Sequence, residues 1–154
     1  MTQAPALPRL IATGCGLGRL PYAPGTWGSA AALPIAWAFA PAGLVASLLG
    51  VAVLSLLGTW AISRTLAGSN VMDPPEIVID ETCAQWLVLA FLPQEPLAYI
   101  LGFSLFRFAD IVKPWPAGWA DRTVPGAIGV MLDDFLAAPY AVAGAWALLW
   151  LIDR

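Results

Sequence analysis

The sequence predicts an all-α fold: a polytopic membrane bundle of four to five short transmembrane helices whose polar segments converge at the cytoplasmic face. Three observations predict it. Of 154 residues, 60% are hydrophobic and 11% charged, with a mean hydropathy of +0.77, whereas an ordinary soluble domain carries about 25% charged residues. The 44 residues between Arg19 and Arg64 hold no formal charge, and the 20-residue run Gly43 to Ile62 within them is long enough to cross a hydrocarbon layer about 30 Å thick. The charges that remain gather on one side once each apolar segment is taken to cross.

Met1 to Gly25 comes first and is the first polar segment. Its apolar patch, Leu10 to Ala12 after Arg9, is too brief for a signal peptide, so the chain is expected to keep its N-terminus. Thr26 to Ala40 and the run from Gly43 onward form a pair broken around Pro41, since proline lacks the N–H and crowds the preceding turn. Arg64 to Asp80 is the second polar segment. Ile77 to Leu92 and Leu97 to Phe108 form another pair around Pro93-Gln94-Glu95-Pro96. Helices of about 16 residues reach only about 24 Å, so these are short or thinning spans. Arg107 to Asp134 is the third polar segment, and Phe135 to Ile152 is the last apolar run, 18 residues long. Several of the 8 tryptophans stand at segment ends, where indoles favour the membrane interface: Trp27, Trp60, Trp86, Trp115, Trp119 and Trp150. Residues 1–154 read as a single domain without internal repeats.

With the start in the cytoplasm, Arg9, Arg19, Arg64, Arg107, Lys113 and Arg122 share the starting side and only Arg154 lies opposite, as the positive-inside rule requires. Asp73, Glu76, Asp80, Glu81, Asp110, Asp121, Asp133 and Asp134 lie with them, leaving Glu95 and Asp153 across. Acids do not follow that rule, so their gathering points to a polar site at this face. A net charge of -3 and the lack of a basic run exclude a nucleic-acid partner. Cys15 and Cys83 lack metal spacing and read as small hydrophobes.

Four clusters carry candidate chemistry. In Asp73-Pro74-Pro75-Glu76-Ile77-Val78-Ile79-Asp80-Glu81, Asp73 and Glu76 resemble a capping arrangement, while Asp80 and Glu81 enter an apolar helix where an ionised carboxylate is costly unless paired or bound to metal. Glu76 and Asp80, four apart, are expected to share a helix face and to suit a hard divalent cation such as Mg²⁺. Asp133 and Asp134 precede the last apolar run. One of them can cap that helix, and two exceed what a cap needs, so they are candidates for ligands or a general base. Lys113-Pro114-Trp115-Pro116, flanked by Arg107 and Arg122, places three cations around a stiff loop, for phosphate or for headgroup anchoring. Gly14-Cys15-Gly16-Leu17-Gly18-Arg19 lacks the ending of a nucleotide loop. With Pro24-Gly25-Thr26-Trp27-Gly28-Ser29 it offers either backbone N–H groups for an anion or a flexible loop. The chain has no histidine and no Cys followed six residues later by Arg, which removes phosphohistidine and cysteine-phosphatase chemistry and leaves carboxylates, a divalent metal and cations.

Pro24 to Ser29, Glu76 to Glu81, Phe106-Arg107-Phe108-Ala109-Asp110-Ile111-Val112-Lys113-Pro114-Trp115-Pro116 and Gly129-Val130-Met131-Leu132-Asp133-Asp134 together resemble the phosphatidylglycerophosphatase A family, in the same order over nearly the whole chain. Ala84, Gly126-Ala127 and Ala137-Ala138 depart from its pattern only by a methyl for a hydrogen. The resemblance implies a multi-pass enzyme of the bacterial inner membrane, with its active site facing the cytoplasm. That enzyme uses Mg²⁺ to remove the terminal phosphate of phosphatidylglycerophosphate, giving phosphatidylglycerol. On this reading Asp80, Glu81, Asp133 and Asp134 are catalytic, and Glu76, Asp80, Glu81 and Asp134 ligate the metal. Arg107, Lys113, Arg122, Thr26 and Ser29 bind substrate, whose acyl chains stay in the bilayer. Attack by water or by a carboxylate, and the oligomeric state, are left open. An ion transporter or scaffold, the reading from another class, requires acids spread through the membrane depth.

Overall fold

A computed structural model describes residues 6–67 and 74–154, and every regular element among them is helical. In order they are α1 (Ala6–Ala12), a 3₁₀ turn (Leu17–Arg19), α2 (Pro24–Phe39), a second 3₁₀ turn (Ala40–Ala42), α3 (Gly43–Leu66), α4 (Ile79–Ala90), α5 (Pro96–Val112), α6 (Ala117–Thr123) and α7 (Gly126–Ile152). Asp73, expected to cap with Glu76, lies outside the described residues.

Around α4 the bundle is built. Nine of its twelve residues are buried, and it packs against α2, α3, α5 and α7. Small residues make this possible. Gly25, Gly28, Ser29, Ala32 and Ala36 form the buried face of α2, and a Cβ on Gly28 would fall 2.6 Å from the Val78 carbonyl oxygen. Thr82 crosses the same seam, its hydroxyl lying 2.9 Å from the carbonyls of both Gly28 and Val78. On the other flank Gly50 receives the Trp86 ring, and Gly58 sits against Met131 and Ile79, so α3 runs antiparallel to α4. Trp86 is therefore buried in the bundle, not seated at an interface. Ala137, Ala138, Ala141 and Ala145 line the buried side of α7 in the same manner.

Helix starts differ from the sequence reading in two places that matter. Helix α4 begins at Ile79, so Glu76 stands in the turn before it and shares no helical face with Asp80. Helix α7 begins at Gly126, whose φ of 71° suits the turn after Pro125. Asp133 and Asp134 consequently lie inside a 27-residue helix, with no cap to form, and are 5% and 3% exposed.

Among the described residues two stretches are long and apolar enough to cross a membrane, fewer than the four to five expected: Pro24–Leu66, shared by α2 and α3, and Gly126–Ile152. Helix α4 has 12 residues and α5 has 17, or about 18 and 26 Å at 1.5 Å per residue. Large apolar side chains point away from the bundle, among them Leu49, Val53, Leu56, Ile128 and Trp150. Cys15 is exposed, Cys83 is buried, and neither is bridged.

The α2–α4 seam makes a clear stability prediction. Gly28→Ala meets backbone and should cost about 1–3 kcal/mol, whereas Gly144→Ala meets only the end of the Leu105 side chain, 3.2 Å away. Thermal unfolding in detergent, followed by circular dichroism, should show a lowered midpoint for the first alone. Equal midpoints would contradict this packing.

Candidate active site at the start of α4

Asp80 and Glu81 occupy the first turn of α4, where the helix dipole favours negative charge. Helix α7 brings Asp133 and Asp134 alongside, α5 brings Arg107 and Asp110, and Lys113 follows as the α5 C-cap with a left-handed φ of 48°. The first turn of α2 closes one wall with Gly25 and Thr26. Together these residues line a cavity of about 330 Å³. Gly25 is required there, because a Cβ would run into Glu81 Oε1 and approach Arg107 Nη2 to 3.0 Å.

Within the cavity Asp80, Glu81 and Asp134 offer carboxylate oxygens that all lie within 4.8 Å of one another. Asp110 and Glu81 are close neighbours of Asp134. Two cations answer these acids. The Arg107 Nη1 group lies 2.6 Å from Asp110 Oδ2 and donates to Ser29 Oγ at 3.2 Å. Lys113 Nζ donates to both Asp133 Oδ2 and Asp121 Oδ1. Burial works to lower the pKa of the Lys113 ammonium, but its hydrogen bonds to Asp121 and Asp133 outweigh that and hold it above its ordinary value. It stays charged at neutral pH.

On the cavity wall Asp80, Glu81, Asp110, Asp133 and Asp134 face, among the described residues, only the cations Arg107 and Lys113. Glu81 Oε2, Asp133 Oδ1 and Asp134 Oδ2 are buried without a hydrogen-bond partner among the described residues. An oxygen-only donor set with surplus negative charge suits a hard divalent cation, and Asp80, Glu81 and Asp134 are the group placed to hold one.

A family model described as phosphatidylglycerophosphatase A matches residues 10–149. The chain belongs to the phosphatidylglycerophosphatase A family. Relatives include a phosphatidylglycerophosphatase A of Haemophilus influenzae, 39% identical over 93% of this chain and 90% of that protein. The phosphatidylglycerophosphatase A of Escherichia coli is 38% identical over 83% of this chain and 75% of that protein. A putative phosphatidylinositol-3-phosphatase of Bacteroides thetaiotaomicron is 35% identical over 99% of both. No solved structure matches the chain significantly.

Most residues marked in the sequence of this phosphatase-family chain meet in the cavity: Asp80, Glu81, Asp133, Asp134, Arg107, Lys113 and Thr26. Ser29 is fully buried behind the wall, where it steadies Arg107. Glu76 is held elsewhere, 3.0 Å from Arg9 and 3.6 Å from Arg19, and is not one of the three grouped acids. Arg122 is exposed in the last turn of α6 and does not line the cavity. Asp110 is the residue that the site selection passed over. It is 8% exposed and lines the cavity, and its spacing of three from Arg107 was the available signal.

Two substitutions separate the cavity from its surroundings. Gly25→Ala should push Glu81 and Arg107 off position and lower phosphate release at least about tenfold. Glu76→Gln breaks half-exposed ion pairs, and should cost under about 1 kcal/mol while keeping activity within about twofold. A phosphatase assay paired with thermal unfolding checks both, and the reverse ranking would contradict the placement of Glu76.

Proposed function

We propose that this chain hydrolyses the terminal phosphomonoester of phosphatidylglycerophosphate, giving phosphatidylglycerol and phosphate, with Mg²⁺ held by Asp80, Glu81 and Asp134. The observation that carries this reading is the buried, acid-rich cavity flanked by Arg107 and Lys113, in a chain whose family match covers residues 10–149. Bound Mg²⁺ supplies positive charge against phosphate oxygens and makes a nearby water more acidic. Arg107 and Lys113 face the same oxygens as fixed cations and need no reorganisation when charge develops on them. The Thr26 hydroxyl, in the first turn of α2, adds a neutral donor at the edge of the cavity. Lys113 fixes one oxygen of Asp133 and leaves Oδ1 within the buried wall. Asp133 Oδ1 takes the proton of the attacking water as its oxygen bonds to phosphorus. The ester P–O bond breaks, and the glycerol oxygen leaves with the electron pair and takes a proton from solvent.

The same proposal includes the membrane setting. Helices α2, α3 and α7 cross, α4 and α5 form a shorter inserted pair, and the acid end faces the cytoplasm of a bacterial inner membrane. Helix directions support it: α2, α4 and α7 start, and α3 and α5 end, beside the arginines and Lys113 that the positive-inside rule assigns to that face. The outward-facing leucines, valines and tryptophans then meet lipid.

Phosphate release from phosphatidylglycerophosphate by the detergent-purified protein should require Mg²⁺ and stop with a chelator. Asp80→Asn should lower kcat by at least about a thousandfold and leave the helical circular dichroism signal in place. A folded, fully active Asp80→Asn protein, or full activity in chelator, would contradict the proposal.

A further inference from the structure

A second cavity, of about 440 Å³, lies between α3, α4 and α7. Its walls include Leu48, Ala52 and Thr59 of α3, Leu87 of α4, and Met131 and Phe135 of α7. The hydroxyls nearest it are already spent: Ser55 Oγ donates to the Val51 carbonyl at 2.7 Å and Thr59 Oγ1 to the Ser55 carbonyl at 2.8 Å. The groove therefore offers alkyl surface and takes an alkyl ligand.

Its depth and length identify which. Gly58 of α3 meets both Ile79, the residue before Asp80, and Met131, so the Thr59 end lies level with the acid cavity. Gly50 meets Trp86, so the Leu48 end lies two turns further along α4. From Leu48 to Thr59 the helix rises about 16 Å, close to the hydrocarbon depth of one leaflet, half of about 30 Å. Ile128 in its wall is 64% exposed, which leaves the groove open to lipid along its side. On α7 Met131 and Phe135 bracket Asp133 and Asp134, so groove and acid cavity are served by the same helical turn.

We propose that this groove is the seat of one acyl chain of the phospholipid whose phosphate enters the acid cavity. The inference rests on the lipid-phosphatase reading above. Lipid tails are as apolar as the groove, so burial there yields little net affinity. The contribution is orientation, holding the headgroup at one depth and in one direction relative to the acids.

Ala52→Phe fills the groove from an exposed position, and Val53→Phe adds the same bulk to the neighbouring lipid-facing surface. The test compares dihexadecanoyl phosphatidylglycerophosphate in mixed micelles with the water-soluble dibutanoyl form. Ala52→Phe should lower kcat/KM on the long-chain substrate at least about tenfold and leave the short-chain value within about twofold, with Val53→Phe near wild type on both. Equal loss on both substrates, or no loss on either, overturns the groove while leaving the phosphatase reading intact. A change in the size of the purified particle with Ala52→Phe assigns the groove to a second copy and overturns it too. Wild-type protein inactive on both substrates overturns the phosphatase reading, and the groove with it.

Discussion

Two unit charges of like sign 4 Å apart repel by about 4 kcal/mol at an effective dielectric constant of about 20, and by more in a drier setting. Asp80, Glu81 and Asp134 stand at that kind of spacing, at the end of an apolar bundle, with Asp80 and Asp134 buried and Glu81 partly so. The rest of the polar end is arranged around this repulsion. Helix α4 points its N-terminus at the acids, Arg107 and Lys113 neutralise two of the five carboxylates on the wall, and one oxygen each of Glu81, Asp133 and Asp134 has no hydrogen-bond partner among the described residues. A folded protein keeps such a group only if something compensates it, either protons taken up by the carboxylates or a cation, and an oxygen-only set suits a divalent one.

Backbone proximity is the second requirement, and it follows from the first. Carboxylates from α4 and α7 and a guanidinium from α5 meet in a bundle where α2 and α3 pack closely on α4 and the first turn of α2 walls the cavity. Gly25, Gly28, Gly50 and Gly58 permit that approach, and Gly25 does so at the site itself, where Glu81 and Arg107 press on its Cα. The small-residue face of α2 and the active site are thus one feature seen at two depths. Packing by small residues is also what lipid-embedded helices depend on, since lipid removes the hydrophobic drive that would otherwise hold them together.

Much of this was legible in the sequence because charge is rare in it. With only 17 Asp, Glu, Lys and Arg residues in 154, sorting them by side brought Asp80, Glu81, Asp133, Asp134, Arg107 and Lys113 to one place, and the helices do bring them together. What local spacing could not reveal was partnership across the chain. Glu76 looked like a neighbour of Asp80, but Arg9 and Arg19, more than fifty residues earlier, claim it before α4 begins. Asp133 and Asp134 looked like helix-start residues because the apolar run follows them, yet the helix is nucleated further upstream, after Pro125. Their side chains turn inward as a result. Asp110 was counted among the acids of the face but not selected, since a carboxylate three residues from an arginine on a helix reads as a surface ion pair until burial shows otherwise. Arg122 shared the charge of the loop but not its direction.

If a cation is what makes the acid cluster tolerable, binding should be measurable without any substrate. Titration of Mn²⁺ into detergent-purified, chelator-treated protein, followed by electron paramagnetic resonance of the free ion, tests this most directly. The account predicts saturable binding that Mg²⁺ displaces and that Asp134→Asn abolishes in a protein retaining its helical content. Wild-type protein that binds no Mn²⁺, or a folded Asp134→Asn variant that binds it as well as wild type, would contradict it.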